Sequence, residues 1–199
     1  MEIQDFIRYL PTDDNSGLGI PFKTKEGSTG IMEYFDLKRH PELIPTVREL
    51  RDHSELQQFV AKLNEPTSLF RTLRCEFPCT CSPSDPGIFQ THWHFTFAFE
   101  LVEHNHPDAY DIFNKLLDEY LHRSGKQNVL AFDLRKVHTS YRDHGVTLLS
   151  QDIETYGIGR SDEESKTHLT IGLNLLGDFF AAESKKWANE LTKGRPTIS

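Results

Sequence analysis

Residues 89–102 are the segment that most restricts how this chain can fold. The segment reads FQTHWHFTFAFELV and, apart from Thr91, carries an aromatic or aliphatic residue at every odd position up to Leu101. Side chains alternate across a β-strand, so the pattern predicts a strand with one aromatic face buried in a core. The opposite face carries His92 and His94. These histidines can therefore meet solvent, a cleft or a ligand without disturbing the core.

The remaining periodicities predict a mixed fold. Four more segments read as strands, at 69–77, 128–134, 146–156 and 167–176. One amphipathic helix begins at Pro107 and ends before Gly125, and a second follows the last strand. This order of elements predicts an α+β domain in which helices pack on one face of a largely antiparallel sheet.

Residues 1–66 differ in character from the rest of the chain. As far as residue 40, short apolar pieces mix with turn-forming residues, which is typical of an irregular arm. Two short helices are then predicted, because Thr46 and Ser54 are each followed three residues later by Glu or Gln. We therefore expect an N-terminal arm with short helices over 1–66 and the α+β domain over 67–199.

The charge balance narrows the classes of partner. Lys and Arg total 22 against 30 Asp and Glu, a net charge of -8, which argues against bulk attraction to long nucleic acid or to an anionic membrane. A small anionic ligand needs only a few local cations. There is no long apolar run of the kind that spans a membrane, and three cysteines are an odd count for a disulfide framework. We expect a cytoplasmic protein.

Two short segments repeat one pattern. HFTF at 94–97 and HLTI at 168–171 both read histidine, apolar, threonine, apolar. If both lie in strands, His94 with Thr96 and His168 with Thr170 each present an imidazole and a hydroxyl on a non-core face.

This pairing resembles the two-histidine phosphoesterase superfamily, the relatives of cyclic phosphodiesterases and of the bacterial 2′-5′ RNA ligase. The resemblance covers the two tetrapeptides and the chain between them. It implies a metal-independent phosphodiesterase acting on a small nucleotide or cyclic phosphate. In that case His94 and His168 are the catalytic acid and base, Thr96 and Thr170 bind the phosphate, and no cofactor is needed. Imidazoles suit both roles near neutral pH.

A metal site is an alternative hypothesis. His92 and His94, two residues apart on a strand, can reach one ion, and Glu100 shares their parity. Zinc or another transition metal is the expected ion. The neighbouring cysteines, Cys75, Cys79 and Cys81, could add ligands, although their spacing is not a common zinc pattern and Cys75 falls on the apolar side of its strand.

A non-catalytic binding or interaction module is a third alternative. A polar strand face with His, Thr and Glu is what a half-exposed antiparallel strand ordinarily shows. In that case the N-terminal arm is a candidate surface for a homo-oligomer. The chain has no P-loop, no dinucleotide-binding glycine fingerprint and no Gly-x-Ser-x-Gly elbow, so several common enzyme classes receive no support.

Overall fold

A computed structural model describes residues 6–14, 19–20, 35–76, 78–81, 87–141 and 145–192. Within these ranges seven strands form one sheet beside three α-helices, and two 3₁₀ turns lie at Pro41–Thr46 and Val102–His104. The elements in chain order are β1 (Ile7–Asp13), β2 (Gly19–Ile20), α1 (Ser54–Leu63), β3 (Phe70–Cys75), β4 (Cys79–Cys81), β5 (Phe89–Phe99), α2 (Pro107–Arg123), β6 (Leu130–Tyr141), β7 (Val146–Gly159) and α3 (Asp162–Thr192).

The sheet is mostly antiparallel, as predicted. Its order is β1-β6-β7-β5-β3, with β2 beside β6 and β4 beside β5. The pairs among β3, β4, β5, β6 and β7 are antiparallel, whereas β1 and β2 run parallel to β6. The predicted α+β class is therefore confirmed.

The aromatic face of β5 is buried against the helices, which confirms the prediction from its alternation. Phe95 and Phe97 are fully buried. Phe59 on α1 lies 4.9 Å from Phe95 between ring centroids, and Phe180 on α3 lies 5.0 Å from Phe97. Edge-to-face pairs of this kind contribute about 0.5–1.5 kcal/mol beyond their buried area. Phe113 on α2 joins the same cluster, so all three helices share one core.

The strand predicted at 167–176 is wrong, because these residues belong to the 31-residue helix α3. Leu169, Leu173, Leu176 and Phe180 are buried, and their spacing follows the helical period rather than the alternation of a strand. Asp162, Glu163 and Glu164 form the first turn of α3. Negative side chains are favourable there because the helix dipole is positive at its N-terminus.

Part of residues 1–66 contributes to the same sheet and core as the rest of the chain. Strand β1 pairs with β6, and α1 packs against α3 through an apolar stripe that includes Phe59 and Val60. The helix predicted from Thr46 is wrong: the 3₁₀ turn ends there, and α1 begins at Ser54. Most of the predicted arm lies outside the described residues.

Two glycines allow α3 to lie directly on the sheet. A Cβ atom added to Gly157 would come within 2.1 Å of the Ser165 carbonyl oxygen and 2.2 Å of the Leu169 nitrogen. A Cβ atom added to Gly159 would lie 2.6 Å from the Ser165 nitrogen. The helix backbone thus approaches β7 more closely than any side chain would allow, which places α3 on the core face.

Candidate functional site

The face of the sheet opposite the three helices carries the polar residues, and we call it the polar face. Strand register brings its residues into rows, because residues paired across an antiparallel ladder point to the same side. Its main members are His92, His94 and Thr96 on β5, Asp152, Glu154 and Tyr156 on β7, and Asp133 and Arg135 on β6. His94 pairs with Glu154, which in turn pairs with Asp133 on the next strand.

A cleft of about 300 Å³ lies on this face. Five strands of the sheet supply its walls, namely β1, β3, β5, β6 and β7. The lining is almost entirely charged and comprises Leu10, Asp13, Arg74, Glu76, His94, Asp133, Arg135, Asp152 and Glu154.

An irregularity in β3 turns Arg74 toward the cleft. Thr72 pairs with Phe97 on the core side, but the next pair in the register joins Arg74 to Thr96. Leu73 is the extra residue of this bulge, and it is buried beside Ala98 on the polar face, although it has the same sequence parity as Cys75, which was expected on the apolar side. Bulges commonly re-aim side chains beside functional sites. Without it, alternation would direct Arg74 into the core.

His94 lies between two carboxylates. Its Nε2 atom is 3.3 Å from Asp152 Oδ2, and its Nδ1 atom is 3.3 Å from Glu76 Oε1. Nη2 of Arg74 is 3.4 Å from both ring nitrogens. The His94 side chain is 16% exposed and Asp152 14%, whereas Glu76 is 53% exposed. A ligand could thus displace Glu76 while Asp152 continues to hold the ring.

The buried hydroxyl group of Thr96 holds the Asp152 carboxylate in place. Thr96 is fully buried, and its Oγ1 atom donates a hydrogen bond of 2.5 Å to Asp152 Oδ1. Burial raises the pKa of Asp152, but the hydrogen bonds from His94 and Thr96 and the charges of His94 and Arg74 outweigh it. The net effect lowers this pKa, so the carboxylate is ionised at neutral pH. Thr96 therefore orients Asp152, a role different from the phosphate contact that the resemblance implied.

A second charged group borders the cleft. Arg8 on β1 forms a two-pronged contact with Asp133, at 2.6 and 2.5 Å, and Tyr156 donates a hydrogen bond of 3.1 Å to the same carboxylate. Arg135 stands apart, since it makes no ion pair with any residue in the described part of the chain. Asp152 is its partner in the strand register, but that carboxylate is in contact with His94, Thr96 and Arg74.

The structure does not bring the two His-x-Thr segments together. His168 lies on α3, on the core side of the sheet, where its Nδ1 atom contacts the carbonyl oxygen of Ile158. Thr170 donates a hydrogen bond to the carbonyl oxygen of Lys166 in its own helix. His94 and Thr96 lie on the polar face. The sheet therefore separates the two histidines that were expected to share one cleft.

The proposed metal ligands do not form one site, because each has a different partner and Glu100 is distant from the two histidines. His92 Nδ1 is 2.5 Å from Glu154 Oε1, and His94 has the partners given above. Glu100 lies beyond the end of β5, about 20 Å along the strand from His94, and pairs with Arg71 at 3.1 Å. Among the described residues no group of three or more His, Cys, Asp or Glu side chains is arranged to hold a metal ion.

The cysteines point in different directions. Cys75 packs against the core, as its strand parity predicted, whereas Cys79 is exposed and pairs with His92 in the strand register. The side chain of Cys81 lies outside the described part of the structure.

Sequence reasoning missed most of the residues that build the cleft. Asp152 and Glu154 alternate with Ile153 in a predicted strand, and this parity is a local signal that both share a polar face. Nothing local indicates that β7 lies next to β5, or that a bulge turns Arg74 to the same side. Both features depend on contacts between residues that are far apart in the sequence.

Comparisons with protein-family models, with curated proteins and with solved structures gave no significant match. The residues of the cleft are therefore the basis on which a function can be inferred. Within the described ranges, no helix is both long enough and apolar enough to cross a membrane.

Proposed function

We propose that this protein is a metal-independent hydrolase that binds a small phosphate ester in the cleft of the polar face. The observation that carries the proposal is the pair formed by His94 and Asp152, 3.3 Å apart and beside two arginines. An imidazole held by an ionised carboxylate is a general acid–base group, and such a group contributes about 10²–10⁴ to a hydrolytic rate. His94 is the proton carrier and Asp152 is the positioning residue.

The charges of the cleft support the binding of a small anionic group. With neutral histidines the lining holds five carboxylates and two arginines, a balance of -3, so bulk attraction for anions is not expected. However, four of the five carboxylates, namely Glu76, Asp133, Asp152 and Glu154, already contact an arginine or a histidine. Arg135 thus remains to form charge-assisted hydrogen bonds with a phosphate oxygen.

The geometry also supports a polar, largely solvated ligand. A cleft of about 300 Å³ is at the small end of ligand pockets and suits a molecule of roughly nucleotide size or less. Its near absence of apolar lining is unlike a lipid or drug site. A phosphate ester matches both the size and the polarity.

The test is turnover of three chromogenic or nucleotide substrates in the presence of a metal chelator. Suitable substrates are para-nitrophenyl phosphate, its bis ester and a 2′,3′-cyclic nucleotide. We expect turnover of at least one substrate by the unmodified protein, and a loss of about 100-fold or more in His94→Ala. The matched control is His122→Gln, since His122 is an exposed histidine on α2, on the other side of the sheet.

Equal turnover in His94→Ala and the unmodified protein would contradict the proposal. Binding of the cyclic nucleotide without turnover, measured by calorimetry, would instead favour the binding module. Turnover that disappears with the chelator and returns with zinc would favour a metal enzyme.

A further inference from the structure

A second histidine–carboxylate pair lies beside the first on the polar face. His92 and Glu154 are in contact at 2.5 Å between Nδ1 and Oε1, and their side chains are 29% and 28% exposed. His92 and His94 are two residues apart on β5, which separates their Cα atoms by about 7 Å. His92 does not line the cleft itself, but its partner Glu154 does, so the His92 pair adjoins the cleft.

The two pairs share one diagonal offset in the strand register but use different ring nitrogens, Nδ1 of His92 and Nε2 of His94. In the strand register His92 lies opposite Tyr156, and His94 lies opposite Glu154. Each imidazole nevertheless contacts the carboxylate two residues earlier on β7, which is Glu154 for His92 and Asp152 for His94. The same diagonal offset places two histidine–carboxylate pairs side by side on one face.

The surroundings of His92 fix its ring and leave one nitrogen available. A carboxylate accepts hydrogen bonds, so a hydrogen on Nδ1 of His92 satisfies Glu154, and in that neutral tautomer Nε2 is the acceptor. The Tyr156 ring lies 5.6 Å from the His92 ring between centroids. Burial raises the pKa of Tyr156, and Glu154 and Asp133 raise it further, so the phenol keeps its proton and acts as a donor.

Two carboxylates beside His92 are arranged in a way that lowers the stability of the fold. Glu154 and Asp133 are direct cross-strand partners, and like charges in that position are destabilising. Arg8 offsets the charge of Asp133, and His92 contacts Glu154. Charged groups that oppose each other and need such compensation are concentrated at functional sites.

We infer that His92 is the second proton-carrying residue of the site, oriented by Glu154, an inference that rests on the proposed hydrolysis of a phosphate ester. His92 Nε2 accepts a proton from water as the water oxygen bonds to phosphorus. The bond between phosphorus and the leaving oxygen then breaks, and His94 donates a proton to that oxygen. Proton exchange with solvent restores both rings. Neither oxidant nor metal is required.

The role of His92 as base predicts a distinct pH signature. A base must be unprotonated, so the activity of the unmodified protein falls as the pH is lowered. The titratable or charged groups that surround His92 are His94 on β5, Glu154 and Tyr156 on β7, Cys79 on β4, and beyond them Asp133 on β6 and Arg8 on β1. Of these, only the pair with Glu154 is in direct contact with the His92 ring nitrogens in the described part of the chain.

The experiment measures kcat and KM from pH 5 to 9 for the unmodified protein, His92→Ala, His92→Gln and Glu154→Gln, with thermal unfolding as a check on folding. For both His92 variants we expect kcat to fall about 100-fold, KM to change less than threefold, and the acid limb of the profile to disappear. Because His92 is partly exposed, added imidazole should restore part of the rate of His92→Ala, which a merely structural role would not allow. Glu154→Gln should lower kcat less than loss of the ring, with the acid limb retained.

Two outcomes overturn the inference and can be told apart. If the unmodified protein hydrolyses phosphate esters through His94, but His92→Ala keeps its rate and acid limb, only the role of His92 is wrong. If the unmodified protein hydrolyses none of the three substrates, the proposed function and the inference fail together.

Discussion

The Nε2 atom of His94 lies 3.3 Å from the Oδ2 atom of Asp152, across the antiparallel pair formed by β5 and β7. The two residues are 58 positions apart in the chain, and their backbones are not register partners. Their contact therefore depends on strand pairing and on the direction of each side chain. Thr96 completes the arrangement through its bond to the second oxygen of Asp152.

Replacing Asp152 should make the protein less stable at neutral pH but not in acid. The pKa of Asp152 is lowered in the folded state, so its stabilising contribution is present above the unfolded value of about 3.9. That contribution is lost as the pH falls through the lowered pKa. We expect Asp152→Asn to reduce the free energy of unfolding at pH 7, measured with urea, and the difference to shrink toward pH 3. Glu119→Gln, an exposed change on α2, is the control; a difference that is constant with pH would contradict the prediction.

Arg135 should affect substrate binding more than chemistry. Its guanidinium is the lining cation without an ion-pair partner among the described residues, so we expect it to contact the phosphate. Arg135→Gln should raise KM or the dissociation constant for a phosphate ligand by about 10- to 150-fold, because a charge-assisted hydrogen bond is worth about 1.5–3 kcal/mol. Arg135→Lys keeps the charge and should recover part of the affinity. An unchanged KM in Arg135→Gln would exclude this contact.

His168 should not take part in catalysis. It lies on α3, and the sheet separates it from the cleft that contains His94. We expect His168→Gln to keep kcat within about threefold of the unmodified protein, while losing up to about 1 kcal/mol of stability with its bond to the Ile158 carbonyl. A loss of activity as large as that of His94→Ala, with the fold intact, would instead favour His94 and His168 as the catalytic acid and base.

The packing of α3 on the sheet predicts opposite effects for two glycine substitutions. Gly157→Ala places a methyl group against the backbone of α3, so we expect a loss of about 1–3 kcal/mol or more in the free energy of unfolding. Gly177→Ala is the matched control within α3. Its new Cβ meets only ordinary contacts, at 3.4 Å from the Lys62 side chain and 3.6 Å from Phe59. It should therefore gain about 0.5–1 kcal/mol from helix propensity. Denaturant titration of both variants measures these two changes in the free energy of unfolding.

The two described cysteines should differ in reactivity. Burial and the charge of Glu49 raise the pKa of Cys75 to about 12, against a small opposing effect of Arg74. At pH 8, four units lower, only about one thiol in 10⁴ is ionised, and the thiolate is the reactive form. Cys79 is exposed. We expect iodoacetamide to modify Cys79 at least about 100-fold faster than Cys75, as followed by peptide mass spectrometry; comparable rates in the native protein would contradict this.

The alternation in residues 89–101 was enough to predict which face of β5 is buried and which carries His92 and His94. The reason is that strand periodicity is local: once a segment is extended, its neighbours in sequence determine the two faces. The helix α2 was predictable for the same reason, since Pro107 and Gly125 mark its ends and Gly125 has the positive φ of 68° expected of a C-cap.

The segment 167–176 shows where local patterns are ambiguous. Leu169, Ile171, Leu173 and Leu175 alternate as in a strand, but Leu169, Leu173 and Leu176 also follow a helical period. Only packing decides between the two, because Gly157 and Gly159 leave a surface on β7 that a helix backbone can cover closely. Once this segment is helical, His168 moves to the core side of the sheet.

The cleft itself could come only from the tertiary structure. Asp152 reaches His94 because β7 pairs with β5, and Arg74 reaches both because a bulge shifts the phase of β3 by one residue. Strand order and bulges are determined by long-range packing, which no window of sequence contains. The histidines were therefore visible in the sequence, whereas the carboxylates and arginines that give them a chemical role became visible only when the sheet was assembled.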